Sequence, residues 1–259
     1  MKSILLFLSF LFLSNIAFTQ TNLWSDASAQ TLKKGRKNWP LLGIKKMGLK
    51  NNKELQIQPL FFFLAPNIGL KKYWGDKNEW KIASLHKLHY PSLMLKFIAR
   101  EGTGGVLPEN AVIPQIIGTK NELIVSKSLN EQYFFAARLG LELALSFGDA
   151  DFPEIDLPFI YNRTAVYHSN FIPYLGLHFG GTIVPKLDFE LAFTTLKMTN
   201  DTGGFVFEDK AVLFWKMSNK FGIKAGAASA FGRYAFGNDF KLIPVFDVVF
   251  GFGKEWDTD

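Results

Sequence analysis

The chain has 259 residues, 48% hydrophobic and 15% aromatic, with 27 phenylalanines and a formal charge of +6. It holds no cysteine, so an exported form has neither a disulfide framework nor a thiol for a lipid anchor. Beyond the first twenty residues, no apolar run approaches the ~18 residues that a membrane helix needs. That excludes a helical membrane protein but not a barrel, whose signal is alternation.

Residues 1–20 read as a secretory signal peptide. Met1-Lys2 is a positive start, Ile4 to Leu13 an apolar run, and Ala17 to Gln20 a small-residue cleavage region. From 21 to 53 the chain is basic, with Lys33, Lys34, Arg36, Lys37, Lys45, Lys46, Lys50 and Lys53 against Asp26 alone. The expectation for this segment is a solvated leader, or an arm that touches anionic lipid, with a possible first strand at 39–50 and a turn at Asn51-Asn52.

The barrel proper is expected over 54–259. Glu54 to Leu64 is a strand that must place Pro59 where no ladder donor is needed. Asn67 to Trp74 and Glu79 to His89 follow. Ser92 to Arg100 fits a short helix as well as a strand, and a Gly/Pro-rich loop near 100–120 either plugs the bore or caps it.

The clearest signal is Gln132 to Phe147. Tyr133, Leu139, Leu141, Leu143, Leu145 and Phe147 alternate with Ala136, Arg138, Gly140, Glu142, Ala144 and Ser146. Period two sends successive side chains to opposite faces, and at ~3.3 Å per residue this strand is long enough to cross a bilayer. Strands over Glu122–Ser128, Arg163–Thr182, Leu187–Lys197, Phe205–Met217, Phe221–Phe231 and the last stretch to Gly253 repeat the pattern. Long and short links alternate between them, and the even count falls at ten to twelve, the higher figure if His168-Ser169-Asn170 is a turn.

A soluble sandwich would alternate too, with its apolar face inward. The second face decides, because it is mostly Gly and Ala with scattered charges of both signs, which suits the inside of a narrow barrel. The fold class is therefore all-β, an antiparallel transmembrane β-barrel.

Over about Glu54 to Gly253 the chain resembles the small outer-membrane β-barrels of Gram-negative-type envelopes. The resemblance implies residence in the outer membrane and contact with its lipid. One departure is the tail Lys254 to Asp259, where such barrels often end on an aromatic residue; Phe252 or Trp256 would have to serve instead.

Chemistry is sparse. His168-Ser169-Asn170 is similar to the His-x-Ser-Asn of outer-membrane lipid A deacylases, but adjacent strand residues face opposite ways and cannot form a base–nucleophile pair. The acidic loop of Asp149, Asp151, Glu154 and Asp156 lacks the order of an EF-hand, and His86, His89, His168 and His178 have no metal-ligand spacing.

What remains is a luminal set: Arg138, Glu142, Tyr174, His178, Asp188, Glu190, Lys224 and Asp247. It reads as a paired network filling the bore, or as a polar path and small-ligand site. The expected role is passive passage or binding of a small solute, or envelope structure, without catalysis, metal or cofactor and without nucleic acid as a partner. The alternatives are a membrane-embedded lipid hydrolase and a soluble periplasmic protein that binds an apolar ligand.

Overall fold

A computed structural model describes residues 25–60, 62–155, 164–199, 203–234 and 237–253. Twelve antiparallel strands close into one barrel in sequence order, β1 pairing with β12. They are β1 (Lys37–Pro40), β2 (Lys45–Gly48), β3 (Lys53–Ile57), β4 (Asn67–Lys77), β5 (Trp80–His89), β6 (Gln115–Ser128), β7 (Tyr133–Phe147), β8 (Phe171–Val184), β9 (Leu187–Lys197), β10 (Phe205–Ser218), β11 (Phe221–Tyr234) and β12 (Gly237–Phe252). Two short helices interrupt them, α1 (Ser92–Ile98) before β6 and α2 (Ala165–Ser169) before β8.

Closure leaves two unlike ends. Tight turns join β2 to β3, β4 to β5, β6 to β7, β8 to β9 and β10 to β11, and β1 begins and β12 ends at that same end. Asn51-Asn52 and Asn78-Glu79 all take positive φ, the backbone that a two-residue hairpin requires and that Asn adopts readily. The opposite end carries the long links between β5 and β6 and between β7 and β8, with α1 and α2 folded into them.

The outer face is apolar. On β7 it presents Leu139, Leu143 and Leu145; on β8 Leu175, Leu177 and Phe179; on β12 Phe240, Leu242 and Phe246; all are exposed. So much apolar surface turned outward on every long strand is a lipid-facing wall and not the skin of a soluble domain. Tyr133, Phe179 and Phe189 form an aromatic cluster near the turn end, and Trp80 meets Phe135 edge-on at 6.5 Å. The few polar groups on this face satisfy one another, as a medium without water requires. His86 Nδ1 lies 2.8 Å from Asn121 Oδ1, Asn121 donates to Thr119 Oγ1 at 3.1 Å, and Trp74 Nε1 donates to Ser84 Oγ at 3.0 Å.

Four expectations shift. The barrel starts at Lys37 and not at 54, because 39–50 forms two short strands, β1 and β2, around a bend at 41–44. Glu54 to Leu64 is a strand only to Ile57; Pro59 ends it, and its carbonyl accepts the Phe62 N–H in a turn. The loop near 100–120 is shorter than expected, since Gln115 to Lys120 already belongs to β6. Arg163–Thr182 divides at Asn170, whose positive φ ends α2, so the count is twelve. The signal peptide, Asp156 and Trp256 lie outside the described residues.

Candidate functional site

Every second residue of each strand points into the bore, and three strands show how the bore is layered. From the loop end, β6 presents Ile116, then Lys120 and Glu122, then Ile124 and Ser126. β7 presents Ala144, then Glu142 and Arg138, then Ala136 and Phe134, and β10 presents Val206, then Lys210, then Val212 and Phe214. Each strand thus runs apolar, charged, small or apolar.

The first layer is a cover. Leu95 and Ile98 of α1, Leu107 and Ile113 of the following loop, Phe152, and Val166 and Tyr167 of α2 form one buried cluster. It closes on Ile116, Ala144, Ile172 and Val206 of the wall. Ser92 fastens α1 by accepting the Ile116 N–H at 2.7 Å.

The lowest layer is filled by the chain's own N-terminal segment. Residues 25–32 lie inside the turn end of the barrel, with Ala27, Ala29 and Leu32 almost fully buried. Ala29 packs on Ala83, Leu85 and Ile124; Ala27 on Phe134 and Ala136; Leu32 on Val212, Phe214 and Val249. The wall also satisfies the arm's backbone. Ser126 Oγ accepts the Ala29 N–H at 2.9 Å and Glu54 Oε2 the Leu32 N–H at 2.9 Å. Lys46 donates to the Ser25 carbonyl at 3.0 Å, and Lys71 to the carbonyls of Gln30, at 2.8 Å, and Ser28.

Asp26 pairs with Lys46. Burial alone would raise the Asp26 carboxyl, but the ammonium groups of Lys46, Lys224 and Lys210 outweigh it and hold the group well below the usual carboxylate range. Of the segment expected as a solvated leader, the uncharged and acidic stretch 25–32 is an arm inside the bore, Lys33, Lys34 and Lys50 are exposed, and Lys37, Lys45, Lys46 and Lys53 belong to β1, β2 and β3.

The charged band lies between arm and cover. Glu122 sits at its centre, accepting from Tyr174 at 2.6 Å and from Arg138 at 3.4 Å, with Lys120 at 3.5 Å; Lys120 also reaches Glu142 at 3.2 Å. Next to it round the wall Glu190 pairs with Lys210 at 3.1 Å and stands 3.9 Å from His178; nearer the turn end, level with Phe214, Asp188 takes Lys216 at 2.9 Å and Thr182 at 2.7 Å. Asp26, Lys46, Lys224 and Asp247 line a cavity of about 30 Å³, room for a water.

All eight luminal residues singled out from the sequence therefore face inward, in four groups and not in one site, Lys224 standing with Asp247 at the small cavity. Arg138, Glu142 and Tyr174 meet around Glu122; His178 and Glu190 meet around Lys210; Asp188 stands apart with Lys216. Asp247 has a separate task at the barrel seam, accepting the N–H groups of Leu42 at 3.0 Å and Gly43 at 2.9 Å. The residues missed are Lys120, Glu122, Lys210 and Lys216, whose even spacing within β6 and β10 was the available signal, and the arm contacts Lys46, Glu54, Lys71 and Ser126, for which local sequence carries none.

The remaining motifs give no chemistry. His168 lies against Phe152 with ring centroids 4.7 Å apart, and the buried Ser169 hydroxyl has no hydrogen-bond partner. Asp151 exchanges backbone hydrogen bonds with Val112. No cluster that could hold a metal ion occurs among the described residues.

No family model and no curated protein matches the chain. Among solved structures it is similar to the NanC porin, at 10% identity and a TM-score of 0.48, over 85% of this chain and 98% of that one. It is also similar to OccK11 (OpdR) of Pseudomonas aeruginosa, at 12% identity and a TM-score of 0.37, over 84% of this chain and 54% of that one. At this distance neither likeness says what passes through or binds to this barrel.

Proposed function

We propose that the protein is an outer-membrane channel for small hydrophilic solutes, closed at rest by its own N-terminal arm. One observation carries this reading: groups of paired charges of both signs line the middle of the bore, enclosed between a cover and an arm that hangs on few bonds. A barrel with a purely structural role could fill its middle with apolar side chains, which avoids the desolvation of buried ions. Charges of both signs along the bore instead replace the hydration of a polar solute.

The arm is the movable part. It belongs to no strand, and its polar contacts are a handful of single hydrogen bonds, each worth about 0.5–1.5 kcal/mol net. The test is conductance in planar bilayers. The wild-type barrel is expected to be closed or to flicker, and deletion of residues 25–34, which leaves the cover in place, to make openings more frequent and longer. Because deletion also uncovers Lys46 and Lys71, the Ser126→Ala/Glu54→Gln double variant is tested beside it, with openings more frequent than in wild type. A deletion variant that still runs as a folded barrel but conducts no better than wild type would overturn the reading.

A further inference from the structure

β1, β2 and β3 are only four, four and five residues long, against ten to sixteen in every other strand. Their inward residues Lys46 and Glu54 bond to the arm, at the lowest layer. These three staves are therefore tall enough for the lowest layer alone, and the charged band has no strand in front of it between β12 and β4.

The edge so left open is visible in the hydrogen bonds. β11 pairs with β12 without interruption from Gly237 to Phe250, whereas β1 pairs only with Val249 to Phe252, and Leu41 N–H reaches Val248 O at 2.9 Å. Alternation then directs the backbone groups of Leu242, Pro244 and Phe246 to the same side as Val248. Among the described residues Leu242 and Phe246 have no hydrogen bond there. Pro244 has no N–H to lose, the usual place for proline in a sheet. Asp247 caps the point where pairing stops, through Leu42 and Gly43.

This edge lies at membrane depth, since Leu242 and Phe246 beside it are 65% and 56% exposed on the lipid face. Bare peptide groups there are tolerated only against a wet cavity. Addition of a partner strand is disfavoured, because Pro244 interrupts the ladder and Lys241 and Asp239 flank it.

The sill below the opening is apolar and exposed: Leu41, Leu42, Leu60, Phe62 and Phe63. Inside, Ile243 and Val245 of β12 are half-buried. Facing them across the opening, Lys87 of β5 points inward, while the His89 ring on the same strand lies over Gly118 of β6, on the side of β5 away from the opening. Lys87 makes no hydrogen bond or ion pair among the described residues, and its stem leans over Gly69 of β4, toward the opening. His89 Nε2 is buried with no hydrogen-bond partner.

We propose that this opening is a lateral portal for a single-chain amphiphile with a carboxylate head, a free fatty acid, whose chain lies along Ile243, Val245 and the sill while its head meets Lys87. The inference needs the barrel in its membrane but not the movement of the arm, so it stands or falls separately from the conductance test.

The test uses the full chain in non-ionic detergent, with a nitroxide-labelled stearate as probe and palmitate as competitor. The probe is expected to be immobilised saturably at about one per barrel. Palmitate should displace it at least tenfold better than hexadecanol, and Lys87→Gln should weaken it at least tenfold while Lys127→Gln does not. Because the chain has no cysteine, Ile243→Cys provides a single thiol that palmitate should protect from alkylation, and Leu177→Cys on the distant lipid face one that it should not. No saturable immobilisation would overturn the portal. So would equal displacement by hexadecanol, an unchanged Lys87→Gln, or equal protection at both thiols, each of which describes non-specific coating of the outer wall.

Discussion

Glu54→Ala should loosen the arm without breaking the barrel. The Glu54 side chain is buried, and its two oxygens accept from Leu32 N–H at 2.9 Å and from Gln56 Nε2 at 2.8 Å. Removing it leaves the Leu32 N–H unsatisfied inside the bore, a loss of ~1–3 kcal/mol that falls on the docked arm only. At ~1.4 kcal/mol per factor of ten, the undocked fraction should rise ~5- to 150-fold. The reporter is Ser28→Cys, a near-isosteric thiol at a buried arm position in a chain with no other cysteine. Its labelling by a polar maleimide, when docking is fast, is proportional to the undocked fraction. The reporter alone should label slowly, and Glu54→Ala should accelerate it by that factor, whereas Glu79→Ala in an exposed turn should not. A Ser28→Cys reporter that labels as fast as a surface thiol, or a rate indifferent to Glu54, would refute the docked arm.

Three further outcomes follow from the geometry. A Cβ at Gly140 would lie 2.0 Å from the Tyr174 ring, so Gly140→Ala must push Tyr174 off Glu122. It should destabilise the barrel by ~1–3 kcal/mol, read as a lower temperature for loss of the unboiled gel form. Asp247→Ala removes two hydrogen bonds to the N–H groups of Leu42 and Gly43 and should lower that temperature by several degrees, at about 2–4 °C per kcal/mol; an unchanged transition would mean the seam does not need its cap. For Asp26, whose folded carboxyl is depressed, the stabilisation is complete above the ordinary value near ~3.9 and is lost only as pH falls through the folded value. Ser28→Cys labelling, divided at each pH by that of a fully exposed control thiol to cancel the fall in thiolate, should therefore be flat from pH 7 to pH 5 and faster in Asp26→Asn at both. A rate that climbs across that window would contradict the pairing with Lys46.

What could be read from the chain was what repeats locally. Tyr133 to Phe147 and Leu187 to Lys197 alternate over their whole length, so sheet, membrane face and luminal face follow from period two alone. Arg138, Glu142, Asp188 and Glu190 were legible for the same reason. The arm was not. Ala27, Ala29 and Leu32 have no periodicity, and the lysines around them look like a solvated leader. Their destination is set by Ser126, 97 residues away, and by Glu54, contacts that no window of sequence contains. The short staves escaped notice likewise, because four residues such as Lys45 to Gly48 are too few to display an alternation.

The central claim is a closed barrel with its apolar face in lipid. It is tested most directly by the gel mobility of the carbonate-washed membrane fraction, boiled against unboiled. The structure predicts a protein that stays with the membrane, runs fast unboiled and shifts only on boiling, because closure leaves no frayed edge at the turn end where β1 meets β12. A protein that washes off and runs identically in both lanes would contradict it, and Leu139, Leu143 and Leu145 would then have to face a core.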